Sequence, residues 1–176
     1  MQNKIAILYI GTGHYTIFWD EFFNSCEKNF IKNAEKHYFF FTDSNDFVSN
    51  EKITIVPQEN LGWPLITCLR YKILNKIKEQ LKDYDYAFFF NGNMEFVRNI
   101  TADEFLPKEE DGYIVAPLHS GNKRMKSNNE FEYERNPNST SYIPYGEGKQ
   151  YFHAGILGGR TQEFLELLDV CEKMMD

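Results

Sequence analysis

Apolar residues in this chain recur in short continuous runs, each bounded by polar or turn-forming residues. Runs of this kind, about four to eight residues long, are typical of β-strands that are buried on both faces. They predict five strands, at residues 4–10, 37–42, 52–56, 86–90 and 113–117, and a further apolar run covers residues 151–157.

Three other segments have apolar residues three or four positions apart, which is the spacing along one face of a helix. The first covers residues 16–32 and the second covers residues 64–81, where Pro64 suits the first helical position. The third begins at Thr161, which we expect to cap its helix.

The alternation of strands and helices predicts an α/β domain with a Rossmann-like, mostly parallel sheet and helices on both faces. Ligands of such sheets bind beyond the carboxyl ends of the strands. The chemistry of this chain is therefore expected just after Ile10, Phe90 and Pro117. Residues 119–138 are polar and without periodicity, which predicts a functional or mobile loop.

Composition and charge narrow the classes of protein that remain. The chain has 176 residues, of which 16% are aromatic and 42% are hydrophobic, and this is enough for one domain over residues 1–176. The net charge of -7 argues against nucleic acids and anionic membranes as partners.

No apolar stretch approaches the roughly 18–20 residues of a membrane span, and no signal-peptide pattern opens the chain, so we expect a cytoplasmic protein. The cysteines and histidines lack metal-binding spacing, which predicts reduced thiols and no zinc site.

Gly11-Thr12-Gly13 follows the first predicted strand. Two glycines let the backbone approach a nucleotide closely, but the third glycine of a dinucleotide-binding sequence is missing. The three residues therefore indicate either a nucleotide contact or a plain tight turn, and they argue against NAD.

Asn91-Gly92-Asn93 follows the fourth predicted strand. Side chains two positions apart at a strand end can point into the same space. Amides are weak ligands for hard cations, yet they donate hydrogen bonds to phosphate or sugar oxygens without a metal. An Asn-Gly turn without further function is the alternative. The Asp-Tyr-Asp sequence at residues 83–85 precedes this strand, so we expect it at the opposite end of the sheet.

Trp63, Ile66 and Arg70 fall on one face of the second predicted helix. They could form an apolar wall for a base beside a cation for an anion. The alternative is that Trp63 and Ile66 belong to the core and that Arg70 is an ordinary surface cation.

Histidines and cations in the last third of the chain provide further candidates. A cationic cluster containing Lys123 and Arg124 follows His119, and it could bind a diphosphate or merely be solvated. In His153-Ala154-Gly155 the small neighbours leave room for a ligand beside the histidine, although a lone histidine is more often structural.

Several of these stretches together match one known family, in its order, over nearly the whole chain. The chain resembles glycosyltransferase family 6, which contains the blood-group A and B transferases, the α1,3-galactosyltransferase and short bacterial members. The matching stretches are residues 21–30, 63–70, 85–96 (DYAFFFNGNMEF), 132–144 (EYERNPNSTSYIP) and 151–159 (YFHAGILGG).

The resemblance implies a GT-A fold and a retaining transfer of galactose or N-acetylgalactosamine from a UDP-sugar. The new bond would be an α1,3 linkage to an oligosaccharide acceptor that contains galactose, such as a fucosylated one. On the acceptor side the matching residues are His119, Tyr142 and His153. At the donor-side positions of the family this chain has Ile10, Gly11, Tyr15, Trp63, Ile66, Arg70, Asn91, Asn93, Ala154 and Gly155, where Ile10 replaces a family aromatic, and Lys123 and Arg124 are candidate loop cations.

Two departures from the family pattern refine these expectations. Asn91 and Asn93 stand where the family has the aspartates of its DxD sequence, which resembles metal-independent bacterial members and implies that no divalent metal or other cofactor is needed. With His153, this pair supplies the candidate catalytic residues. The family's Trp-His-Asp-Glu segment, which carries its catalytic glutamate, would follow Asp176, so we expect a GT-A domain that is incomplete at its C-terminus.

Gly155 matches the GalNAc-using pattern, because an N-acetyl group needs space that an alanine would fill. The sequence therefore favours UDP-GalNAc as the donor. It leaves open a UDP-Gal-using α1,3-galactosyltransferase, and also a non-catalytic module that binds sugars or nucleotides.

Overall fold

A six-stranded sheet forms the centre of the molecule. The computed structural model describes residues 2–123 and 127–175. Within these residues the strands lie in the order β3-β2-β1-β4-β6-β5. Their bounds are β1 Lys4–Ile10, β2 Glu35–Thr42, β3 Ile53–Pro57, β4 Tyr86–Phe90, β5 Ile114–Val115 and β6 Ile156–Arg160.

Four of the strands are mutually parallel, as the continuous apolar runs predict. β1 pairs in parallel with β2 on one side and with β4 on the other, and β2 pairs in parallel with β3. β6 is antiparallel both to β4 and to β5. On one side of β1 the chain adds β2 and then β3. It then returns to the other side of β1, where it adds β4, and β6 and β5 lie beyond β4. Such a reversal opens a crevice beyond the strand ends, between β1 and β4.

Both faces of the sheet are covered, because successive side chains of a strand point to opposite faces. In β4, Phe88 and Phe90 pack on one face and Phe89 packs on the other. Helices α1 Trp19–Asn29 and α5 Ala102–Phe105 cover the first face. The second face is covered by α2 Leu65–Cys68, α3 Arg70–Asn75, α4 Lys78–Leu81 and α6 Thr161–Lys173. The predicted α/β architecture is thus confirmed, and none of the helices in the described ranges has the length and apolar character to cross a membrane.

The predicted continuous helix over residues 64–81 is wrong, because this segment forms three short helices. Leu69 and Ile77 separate them, with ψ angles of 10° and 16° instead of helical values near -42°. Both residues pack on the core of the second face. The amide of Ile73 still donates to the carbonyl of Leu69 at 3.0 Å, so helical hydrogen bonding continues from this position into α3.

Other element boundaries also differ from the prediction. The helix predicted from residue 16 begins at Trp19, because a 3₁₀ turn at Gly13–Phe18 precedes it. The strand predicted at residues 113–117 is reduced to Ile114–Val115. Thr161 does not cap α6. Arg160 occupies the capping position, and the buried hydroxyl of Thr161 has no hydrogen-bond partner in the described structure.

Phe88 tests the importance of the doubly covered sheet for stability. This side chain is fully buried, and Phe88→Ala should lower the free energy of unfolding by about 3–5 kcal/mol through lost burial and a residual cavity. Phe152 is 50% exposed, and we expect Phe152→Ala to cost at most about 1.5 kcal/mol. Urea unfolding of the two variants measures the difference, and equal losses would contradict the assigned core.

Candidate active site

A cleft of about 500 Å³ lies beyond the carboxyl ends of β1 and β4, at the reversal of the sheet. The loop after β3, helices α2 and α3, and the segment before β6 complete its walls. Its lining residues are Ile10, Thr12, His14, Tyr15, Asn60, Gly62, Trp63, Ile66, Thr67, Arg70, Phe89, Asn91, Gly92, His153, Ala154 and Gly155.

Close packing of the two strand ends forms the floor of the cleft. The hydroxyl of Tyr9 donates to the carbonyl of Gly92 at 3.0 Å, and burial raises the pKa of Tyr9, which keeps this donor protonated. A Cβ on Gly92 would lie 3.1 Å from the carbonyl oxygen of Ile10. A Cβ on Gly11 would lie 2.6 Å from the Tyr9 ring. The glycines at these two strand ends therefore allow the floor to close. Gly11, expected to contact the donor, is buried and does not line the cleft.

Arg70 is the buried cation of the cleft. Its side chain is only 6% exposed, and its guanidinium lies over the Phe89 ring at 4.5 Å. Nη1 donates to the carbonyl of Ala154 at 2.5 Å. Burial lowers the pKa of Arg70, but an arginine side chain remains charged at neutral pH. No carboxylate of the described residues forms an ion pair with Arg70, so its charge is available to an anion in the cleft.

The segment before β6 joins the wall of the cleft to β4. The amide of Asn91 donates to the carbonyl of Gly155 at 2.7 Å. The amide of Gly155 in turn donates to Nδ1 of His153 at 2.9 Å. Because Nδ1 accepts this hydrogen bond, the proton of the neutral His153 ring resides on Nε2, which is free to act as a donor.

His119 shows the same arrangement in the segment after β5. The amide of Gly121 donates to Nδ1 of His119 at 3.0 Å, which again leaves Nε2 as the donor. The rings of His119 and His153 stack, with centroids 5.9 Å apart. The backbone of His153 is held against Pro117 by an amide-to-carbonyl hydrogen bond of 2.8 Å. Two oriented imidazole donors thus lie side by side at this edge.

The space beside Gly155 is occupied. A Cβ on Gly155 would lie 2.1 Å from Cε1 of His153 and 2.7 Å from Cε of Met94. The expected open space for an N-acetyl group is therefore not what this glycine provides in the structure. Its lack of a side chain instead lets the His153 ring fold back onto the Gly155 amide.

The two asparagines after β4 lie close together. Nδ2 of Asn91 donates to Oδ1 of Asn93 at 3.2 Å, and this leaves one hydrogen of Asn91 and the amide group of Asn93 for other acceptors. Asn91 lines the cleft. Asn93 does not line it but is hydrogen-bonded to Asn91. Throughout the described ranges, no three His, Cys, Asp or Glu side chains come together as a metal-binding group.

Aromatic and aliphatic side chains form the outer part of the cleft. Trp63 is 85% exposed and Tyr15 is 50% exposed, while Ile10 and Ile66 are half-buried. Large apolar surfaces that remain open to solvent beside a cleft are suited to cover a planar ligand.

Some of the expected site residues lie elsewhere. Tyr142 belongs to a turn in which its amide donates to the carbonyl of Ser139, and it does not line the cleft. Its neighbour Thr140 contacts the end of α6 instead. The side chain of Lys123 and the whole of Arg124 lie outside the described residues.

Several lining residues were not predicted from the sequence. They are His14, Asn60, Gly62, Thr67 and Phe89. The rule that placed the site after the other strands also applies to β3, which ends at Pro57 in parallel with β2. Applied there, it would have indicated the following loop with Asn60.

A larger cleft, of about 880 Å³, lies at the opposite end of the sheet. There the carboxylate of Asp85 accepts the amide of Lys4 at 2.8 Å, so the Asp-Tyr-Asp sequence at residues 83–85 is at the amino end of β4, as predicted. Lys78 pairs with Asp169 in this cleft, and Arg160 pairs with Glu163. Lys82 pairs with Glu79, and the remaining cation of this cleft, Lys4, is exposed to solvent. The smaller cleft has a buried cation without a carboxylate partner in the described structure, so it is the better candidate for an anionic ligand.

Comparison with known proteins connects this architecture to one family. A family model described as glycosyltransferase family 6 matches residues 2–176. The chain is 33% identical over 172 residues to the O-antigen biosynthesis glycosyltransferase WbnI of Escherichia coli, a match that covers 97% of this chain and 71% of the relative. It is 28% identical to the globoside alpha-1,3-N-acetylgalactosaminyltransferase 1 of Gallus gallus, over 97% of this chain and 50% of the relative. It is 24% identical to the histo-blood group ABO system transferase 1 of Rattus norvegicus, over 99% of this chain and 51% of the relative.

The chain thus spans about half the length of the two vertebrate relatives and a larger share of the bacterial one. The family match extends over the sheet, the cleft and α6 alike. This chain belongs to glycosyltransferase family 6.

Proposed function

We propose that this chain binds a UDP-sugar in the cleft between β1 and β4 and acts as a retaining glycosyltransferase. In this proposal N-acetylgalactosamine moves from UDP-GalNAc, in α1,3 linkage, to a galactose-containing acceptor, and no divalent metal takes part. The observation that carries the proposal is Arg70, a buried guanidinium without a carboxylate partner in the described structure, at the end of a cleft with an apolar mouth.

The diphosphate is assigned to the polar end of the cleft. Breaking the bond between the anomeric carbon and the leaving oxygen places negative charge on UDP, and positioned donors stabilise that charge in the transition state. Arg70 supplies a positive charge, while Asn91 and Asn93 supply amide hydrogens. Neutral amides are poor ligands for a hard dication, which supports a reaction without a metal.

We assign the acceptor and the transferred sugar to the side of the cleft where the rings of His119 and His153 stack. His153 lines the cleft, and His119 stacks on its ring without lining the cleft itself. Because Nδ1 of each ring accepts a backbone amide, each neutral ring carries its hydrogen on Nε2. Such donors suit sugar hydroxyl oxygens, and their fixed tautomers orient the acceptor without a further conformational cost.

The choice of GalNAc draws on relatives rather than on the space beside Gly155, which the His153 ring fills. The Gallus gallus relative is named for α1,3 transfer of N-acetylgalactosamine. The relatives also include transferases of the ABO system, so UDP-Gal is the second candidate donor.

Donor use tests the proposal directly. We expect release of UDP from UDP-GalNAc to exceed release from UDP-Gal, with equal rates in EDTA and in Mn²⁺, because the charge on UDP is met by Arg70 and amides. A coupled assay for UDP with a galactose-containing acceptor measures all four rates. A strict requirement for Mn²⁺ would contradict the role given to the two asparagines, and faster turnover of UDP-Gal would favour the second donor.

Arg70 should matter for the diphosphate and not for the nucleoside. We expect Arg70→Met to weaken UDP binding by about 10–100-fold, as loss of a charged hydrogen-bond donor implies, and to change uridine binding by less than about twofold. Calorimetric titration of both ligands provides the measurement.

Arg98→Met is the matched control, because Arg98 is an exposed arginine that pairs with Glu104 away from the cleft. It should leave both affinities unchanged. If Arg70→Met weakened uridine and UDP equally, Arg70 would only shape the cleft.

A further inference from the structure

The two ends of the cleft differ in their chemistry. Arg70 contacts Ala154, and Asn91 is joined to Gly155, so charge and amide donors gather at one end. At the other end the loop after β3 meets the Gly11-Thr12-Gly13 turn, and among the lining residues there only Asn60 carries a side-chain amide. If the diphosphate occupies the first end, the base lies at the second.

A backbone hydrogen bond fixes the orientation of the Asn60 side-chain amide. Oδ1 accepts the amide hydrogen of Gly62 at 3.0 Å. An N–H group can pair only with the oxygen, so the orientation of the side-chain amide is determined. Nδ2 therefore lies on the other side, against Gly13, and is 2.4 Å from the position that a Cβ on Gly13 would take. Within the described structure Nδ2 has no hydrogen-bond acceptor.

Gly13 is held in place from the opposite direction. Its φ of +55° is in the left-handed region, and its amide donates to Oδ1 of Asp43 at 2.8 Å. The turn is thus anchored by Asp43 on one side and packed against Asn60 on the other. Asn60 also lines the cleft, and neither hydrogen of its Nδ2 has an acceptor among the described residues.

We propose that Asn60 selects the nucleobase, by donating a hydrogen bond from Nδ2 to the O4 carbonyl of uracil. The proposal rests on the proposed function, since it assumes that a nucleoside diphosphate occupies the cleft. Uracil presents an acceptor at this position, whereas cytosine presents an amino group. Asn60 cannot turn its oxygen toward cytosine without breaking its bond with Gly62 and placing two donors against each other. The hydrogen bond from the Gly62 amide thereby makes the site prefer uracil to cytosine.

The ratio of UDP to CDP affinity, measured by calorimetric titration, tests this role. We expect the full chain to bind UDP at least about tenfold more tightly than CDP, the scale set by one hydrogen bond gained and one polar clash avoided. Asn60→Asp keeps the acceptor for Gly62 but replaces Nδ2 with an acceptor. It should lower the ratio by about tenfold or more. The added negative charge repels both diphosphates alike and so cancels from the ratio.

Two further variants separate recognition from folding. Asp43→Asn keeps the acceptor for Gly13 and removes a charge near the same turn, so the ratio should stay within about twofold of the wild-type value. Asn60→Ser retains a short acceptor for Gly62 but has no amide to reach the base, and it should also lower the ratio. Circular dichroism and thermal unfolding identify any variant that has lost its fold.

The outcomes are distinct. A wild-type ratio that persists in folded Asn60→Asp or Asn60→Ser would overturn the role of Asn60 while leaving the cleft as a UDP site. A parallel loss of UDP and CDP affinity, with an unchanged ratio, would show that Asn60 only shapes the loop. If the wild-type chain bound neither nucleotide, the proposed function itself would fail.

Discussion

The parallel pairing of β1 with β4 is the constraint from which the site follows. Tyr9 pairs with Phe90, so the backbones that leave the two strands emerge side by side at one edge of the sheet. The strand order reverses between these strands, which leaves a crevice beyond their carboxyl ends. Gly92 and the hydroxyl of Tyr9 close its floor, which brings the cleft-lining loops within contact of one another.

A second constraint is the energy of a buried charge. Removing a guanidinium from water is costly unless hydrogen bonds and an opposite charge compensate. Arg70 has one carbonyl and one aromatic face, which compensate for only part of this cost. A diphosphate would supply the missing negative charge. The chain as a whole carries a net charge of -7, which repels anions in general. A cation that has no carboxylate partner in the described structure therefore attracts an anion to one place.

The sequence predicted the four parallel strands well, because each of them is a short apolar run between turns. The two antiparallel strands were predicted poorly: β5 is shorter than its predicted strand, and β6 overlaps the apolar run at residues 151–157 only at its first two residues. β1 and β4 have the bounds that were predicted. The bends at Leu69 and Ile77 left no such signal, because they depend on packing against the second face of the sheet. The cleft was predicted in part, since residues after β1 and β4 could be placed by topology. Asn60 was not predicted because its loop follows β3, two strands away from the reversal, and its contact with Gly13 arises from the fold and leaves no pattern in the sequence.

The central claim is that the charge on the leaving diphosphate is met by Arg70 and by amides, at the edge where β1 and β4 end. A crystal structure of the chain grown with UDP and Mn²⁺ tests it most directly. We expect diphosphate oxygens within hydrogen-bond distance of Arg70 and Asn91, with no manganese between the nucleotide and Asn93. A manganese ion bridging the diphosphate to Asn91 and Asn93, or UDP bound away from this edge, would contradict the account.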